Sequence, residues 1–238
     1  MLILAFETSA KAASVALLEP PRLLGEVYQN TGLTHSQTLL VMAENLLKQC
    51  GKTAQDVTAV AAAHGPGSFT GVRIGAAAAK GFSWGRDIPC YGVSTLEAMA
   101  EGLGVWDGYV CPVMDARRSQ VYNALFRAER GTLTRLTPDR ALSLTELGEE
   151  IKNLEKPVFL VGDGAVLCYN TLSKDIPALV LPPEHRMHQR AVGVAILAAR
   201  QAAAGLAPSG GELTPNYLRL SQAERERLEK QKAESSQL

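Results

Sequence analysis

One order of elements runs twice along the 238 residues, and it constrains the fold more than any other feature. The apolar run Leu2–Phe6 reads as a buried strand. Ser14–Leu18 and Leu23–Tyr28, parted by Pro20-Pro21, read as two more strands of an antiparallel meander. Leu39, Met42, Ala43, Leu46 and Cys50 then recur at helical spacing, so His35–Cys50 is expected to be a helix stopped by Gly51. Asp56–Ala63 is a buried strand, Gly65–Ser68 a turn, Thr70–Trp84 a helix, Pro89–Val93 a strand and Thr95–Leu103 a helix.

After Gly104 the order starts again. Tyr109–Met114 is an apolar strand ending at Asp115, as the first ends at Glu7. Gln120–Phe126 and Leu133–Leu136 follow as strands. Ser143–Leu154 is a helix opened by a capping box, Ser143 standing three residues before Glu146. Val158–Val161 is a buried strand ending in Gly162-Asp163-Gly164, and helices follow over Ala165–Leu172 and Ala191–Ala204. The two halves share a pattern and almost no residues. Strand-strand-strand-helix-strand-helix, twice, resembles the plan of the actin-like ATPases. That implies an α/β chain of two lobes, each a mixed β-sheet flanked by helices. The expected boundaries are 1–104 for the first lobe and 105–204 for the second. A helical segment over about 205–232 is expected to return and complete the first lobe, leaving 233–238 as a disordered tail.

Charge narrows the function. The 24 Lys and Arg balance the 24 Asp and Glu, which disfavours a chain that holds nucleic acid alone. Only 5% of residues are aromatic, too few for a base-stacking platform. Residues 1–100 hold 7 basic and 7 acidic side chains, whereas 101–238 hold 17 of each. The first half is therefore poor in surface charge. Cys50, Cys90, Cys111 and Cys168 form no CxxC pair, so they read as small buried hydrophobes of a reducing, cytoplasmic protein. The longest apolar tract, around Ala59–Ala63, is far shorter than the roughly 20 residues of a membrane span. Glu7 interrupts the opening apolar run, which reads as a strand and not a signal peptide.

Candidate sites each carry a plain reading beside the chemical one. Gly65-Pro66-Gly67-Ser68, between strand and helix, can turn backbone N–H groups toward a phosphate, or can be a tight turn. It is neither a Walker A loop nor a GxGxxG fingerprint. Gly71, Gly75, Ala79 and Ser83 form a stripe of small residues that admits a close neighbour, either in this chain or in a partner. His35, His64, His185 and His188 lack ligand companions at metal-binding spacing. Arg117 and Arg118 suit a phosphate, an acidic partner or a solvated turn equally.

In order along the chain, ILAFETS from Ile3, THSQ from Thr34, GPGSFTGVRIG from Gly65, GVSTLEA from Gly92, MDARR from Met114 and Pro215 with Tyr217-Leu218-Arg219 resemble the TsaB (YeaZ) family. The glycine segment carries most of the specificity. The resemblance implies an accessory protein for making threonylcarbamoyladenosine in tRNA. It implies a heterodimer with the catalytic paralogue TsaD, which modifies N6 of adenosine 37 in tRNAs reading ANN codons. TsaE is the implied third member, and tRNA is reached only through the complex. A homodimer is implied when TsaD is absent.

TsaD carries two metal-binding histidines where Thr95 and Met99 stand here, and an acidic pair where Lys11 and Ala12 stand. A hydroxyl and a thioether are poor ligands for such an ion, and a lysine opposes one. The chain is thus expected to be a scaffold and not an enzyme, with no metal and no catalytic residue. No cofactor is expected for the chain alone; ATP enters only at the level of the complex, with Gly65, Gly67, Ser68, Gly162 and Gly164 as weak contacts. The expected partner interface is His35, Leu39, Met42 and Leu46 of one helix with Gly71, Gly75, Ala79 and Phe82 of the next. The alternatives are an actin-like nucleotide-binding ATPase, or a metallopeptidase of the kind this superfamily was once named for, which the missing ligands disfavour.

Overall fold

The computed structural model describes residues 1–117 and 119–219. Its first sheet has the order β3-β2-β1-β4-β5. The strands are β1 (Ile3–Glu7), β2 (Ala13–Glu19), β3 (Arg22–Gln29), β4 (Ala59–Ala63) and β5 (Cys90–Val93). β1, β2 and β3 form the antiparallel meander, while β4 and β5 run parallel to β1. Side-chain alternation divides the sheet into two buried faces. Leu4, Phe6, Val15 and Leu17 lie under α1 (His35–Gln49) and α2 (Phe69–Ser83). Ile3, Ala5, Ala16 and Ala61 lie under α3 (Thr95–Glu101) and α6 (Ala191–Ala203).

The second sheet is built on β6 (Gly108–Asp115), in the order β10-β7-β6-β11-β12, with β8 and β9 added beside β6. β7 (Gln120–Asn123) takes the first part of the strand expected over 120–126, and β8 (Phe126–Glu129) starts at its last residue and runs past it. Both pair with β6 in one antiparallel register, Val113 with Asn123 and Val110 with Phe126. The break falls opposite Pro112, which has no N–H to give the ladder. There the Asn123 side-chain amide donates to the Pro112 carbonyl at 3.0 Å instead. β9 (Thr132–Arg135), β10 (Arg140–Ser143), β11 (Val158–Val161) and β12 (Leu179–Val180) complete the sheet. α4 (Leu144–Ile151) and α5 (Ala165–Leu172) close its core around Leu147, Leu160 and Cys168.

The lobe boundaries need correction. α6 falls in the range assigned to the second lobe, yet Val194, Ala195 and Ala198 pack on the first sheet. Gly193 lets the helix touch the backbone of α3, where a Cβ would come within 2.1 Å of the Ala98 carbonyl. At its N-terminus the Ala191 amide donates to Ser14 Oγ and the Val192 amide to Glu26, which also pairs with Arg190. α6 thus belongs to the first lobe, and Leu213 of the following segment also enters the first core. Residues 206–219 hold no helix and run as a strap, whose Pro208 carbonyl accepts from the Cys90 amide and whose Asn216 amide donates to the His64 carbonyl. The remainder of that segment and the tail at 233–238 lie outside the described residues.

Candidate functional site

The hairpin after β1 and the end of β6 meet where the lobes join, with Ala10 packed on the cluster that holds Met114. Glu7 is fully buried. Its Oε1 accepts from the Ser9 amide at 2.6 Å, while Oε2 has no partner. Burial outweighs those hydrogen bonds and pushes its pKa up to about 7. Asp115 is exposed and receives the Arg117 amide at 2.7 Å. Asp163 receives the Asp115 amide at 3.3 Å, and burial raises its pKa. The two strand-end acids that the pattern makes equivalent thus differ in kind, one sealed and one solvated.

The glycine turns hold these strand ends together. The Ser68 amide donates to the Ser9 carbonyl at 2.7 Å, the Gly162 amide to Met187 at 2.7 Å and the Gly164 amide to Val113 at 3.1 Å. Those donors are spent inside the chain and do not face a phosphate. The side-chain room is spent too. A Cβ on Gly65 would meet the Asn216 carbonyl at 2.7 Å, and one on Gly67 the Ser9 carbonyl at 2.5 Å and Met114 Cε at 3.2 Å. On Gly162 it would meet the Val113 carbonyl at 2.2 Å, and on Gly164 the Asp115 amide at 3.1 Å. Both turns thus hold close backbone contacts within the chain. Thr95 is fully buried, and Met99 lies in the apolar cluster of Leu96, Leu103, Met114 and Phe126 between the sheets. Among the described residues no three His, Cys, Asp or Glu side chains gather as a metal site.

The structure places most of the expected interface residues inside the chain. Leu39, Met42 and Leu46 are buried in the chain's own first core, as is Ala79. Gly71 and Gly75 press on Thr8, whose hydroxyl donates to the Gly71 carbonyl at 2.7 Å. The small-residue stripe thus seats α2 on the end of β1. Phe82 is half-buried against the same core. His35 donates from Nε2 to the Ala10 carbonyl at 2.8 Å. What the two helices leave open is the opposite side. Leu40 is 58% exposed, Val41 54% and Trp84 85%, with Leu33, Arg73, Ala77 and Gly81 exposed beside them. The helical period that buries Leu39, Met42 and Leu46 also places Leu40 and Val41 away from the core.

Arg73 on α2 is the charged residue among those just named. Its guanidinium lies 3.9 Å over the Phe69 ring, which stacks on Tyr217 at 4.8 Å. Its Nε donates to the Tyr217 hydroxyl at 2.8 Å. Tyr217 belongs to the strap, and two residues later Arg219 donates to the Ala116 carbonyl at the turn after β6. The strap so links the α2 surface to the second lobe. Arg117 stands in that turn with a positive φ of 62°, and Arg118 lies outside the described residues.

Two mixed sheets joined end to end, with helices on both faces, make this an actin-like ATPase fold. The structure of (R)-2-hydroxyglutaryl-CoA dehydratase component A from Acidaminococcus fermentans shares the fold at a TM-score of 0.52 and 13% identity, covering 85% of this chain and 99% of that one. The model of the tRNA N6-adenosine threonylcarbamoyltransferase family, TsaD, matches residues 25–227. The chain is 33% identical over 234 residues to the tRNA threonylcarbamoyladenosine biosynthesis protein TsaB of Bacillus subtilis, covering 98% of this chain and 100% of that protein. It is 35% identical over 167 residues to TsaB of Escherichia coli, covering 69% and 72%. YeaZ from Pseudomonas aeruginosa superposes with a TM-score of 0.73 at 25% identity, covering 91% of this chain and 99% of that one. The chain belongs to the TsaB (YeaZ) family.

Proposed function

We propose that the chain is a non-catalytic subunit in tRNA threonylcarbamoyladenosine biosynthesis. It pairs with a TsaD-type transferase that moves the threonylcarbamoyl group to N6 of adenosine 37 in tRNAs reading ANN codons. TsaE is a third member, and tRNA is met through the complex. Without the transferase, two copies of the chain pair through the same face.

The observation that carries this reading is the set of exposed apolar side chains that α1 and α2 leave on the charge-poor lobe, Leu40 and Val41 on α1 with Ala77 and Trp84 on and just after α2. Exposed apolar area of this kind fits a protein partner, and tryptophan is over-represented among the residues that hold such contacts. The residues that stand at TsaD's ligand positions are both buried, Thr95 as a polar side chain and Met99 in an apolar cluster. The test is co-elution with the organism's own transferase, followed by tRNA modification with the chain present or omitted. Val41→Asp places a charge on the face and leaves the core untouched. It should abolish both co-elution and stimulation while the protein stays folded by circular dichroism. Full modification without the chain, or unchanged co-elution of the variant, would sink the reading.

A further inference from the structure

We propose that Arg73 is the charged anchor of the docking face, a guanidinium held ready by Phe69 and Tyr217 to receive a carboxylate of the partner protein. The inference rests on the docking reading above and adds the chemistry that fixes the partner's register. Thr70, Arg73, Ala77 and Gly81 are exposed along α2 at spacings of three and four, so they form one row, and Trp84 follows just past the helix end. Arg73 is the exposed charge of this row, with the half-buried Lys80 at its flank.

Three features separate this arginine from an ordinary surface cation. The Phe69 ring supports its flat face at 3.9 Å. The Tyr217 hydroxyl takes its Nε at 2.8 Å, which fixes the direction of the fork. Its two terminal nitrogens have no hydrogen-bond partner and no carboxylate among the described residues. A long side chain normally loses rotamer freedom when it is bound, and here that ordering is already present. The open end of the fork presents two parallel N–H groups, the arrangement that fits one carboxylate. A nucleic-acid backbone would call for several cations together, and this lobe is poor in them. The partner's contribution is therefore an Asp or Glu side chain set among apolar residues, where the pair is shielded from salt and water.

The anchor also ties the docking face to the strap. Tyr217 orients Arg73, and Arg219 attaches the same segment to the Ala116 carbonyl of the second lobe. Tyr217 is a positioning residue in this arrangement.

The test is the affinity of the full chain for its own transferase, measured at low and high salt with Arg73→Gln, Arg73→Lys, Tyr217→Phe and the Val41→Asp control. Arg73→Gln should weaken binding by at least about tenfold and flatten the salt dependence, because it strands a carboxylate on the partner. Arg73→Lys should recover only part of the loss, since an ammonium lacks the fork. Tyr217→Phe should fall between wild type and Arg73→Gln, and none of the three should change the melting temperature of the free chain. An Arg73→Gln affinity within about twofold of wild type, with the same salt slope, overturns the anchor whatever the variant does to tRNA binding. In that case a dead Val41→Asp control still upholds the docking face. A wild-type chain that does not bind the transferase overturns both.

Discussion

Glu7 offers its environment one satisfied oxygen and one orphan, and its titration should be visible in the stability of the chain. The folded pKa of about 7 lies above the ordinary carboxyl value of 4.5, so the folded chain holds this proton more tightly than the unfolded one. The contribution is then complete below pH 4.5 and is lost as pH rises through 7. The gap corresponds to about 3 kcal/mol at full ionisation. Glu7→Gln removes the ionisation and keeps the shape. The variant should match wild type near pH 5 and melt at a higher temperature near pH 8. A difference between the two proteins that is the same at both pH values would contradict the assignment. Burial lowers the pKa of His64, whose contribution is lost in the opposite direction, on acidification. That effect is common to both proteins and cancels in the comparison.

At the scale of the element, α1 shows how far a helical period can be read. Leu39, Met42, Ala43 and Leu46 predict the helix and are its buried stripe. The period alone does not say whether that stripe meets its own sheet or a partner, and the two answers reverse the meaning of every residue. Neighbouring leucines separate them. Leu39→Ala should cost about 2–5 kcal/mol in urea unfolding, because Leu39 is 1% exposed inside the first core. Leu40→Ala should change stability by no more than about 0.5 kcal/mol and weaken association instead. Similar losses of stability from both would refute the division of faces.

The same ambiguity hid the role of the stripe on α2. Glycines four apart are needed equally for a second helix and for a strand end, and it is Thr8 that lies against Gly71 and Gly75. The break between β7 and β8 was not legible within 120–129, because its cause, Pro112, stands on another strand. β10, with the sequence Arg-Ala-Leu-Ser, has no alternation strong enough to announce a strand, and pairing with β7 makes it one. Val158–Val161 and Ala165–Leu172 were read to the residue, because an apolar run and a glycine turn set their limits locally. The site was half legible in the same sense. The identities of Thr95 and Met99 were readable, whereas the exposure of Leu40, Val41 and Trp84 depends on which way the helices face the sheet.

Across the whole molecule, the contacts between lobes bear on whether the chain can work as its fold relatives' name suggests. Arg135 of β9 reaches Glu97 of α3 at 2.6 Å and Asp139 at 2.7 Å, and Ser94 donates to Asp139 at 2.6 Å. α3 itself belongs to both lobes, giving Ala98 to the core of the first and Leu96 and Met99 to the cluster beneath the second. Met114 lies against Gly67, and Ala10 packs on the same cluster where the hairpin after β1 enters the junction. A nucleotide between the lobes needs free backbone donors and an acid to carry magnesium. The amides of Ser68, Gly162 and Gly164 are already bonded, and Lys11 adds a positive charge close to Asp163 at the junction. Mg–ATP at millimolar concentration should therefore leave the melting temperature of the isolated chain unchanged to within about 1 °C. A ligand present at a hundred times its Kd would add about 2.7 kcal/mol, which for a chain of this size is a rise of roughly 5–10 °C. The two outcomes are far enough apart for a single thermal scan. A rise of several degrees would restore the nucleotide-binding reading and require Met114 and the 65–68 turn to move apart.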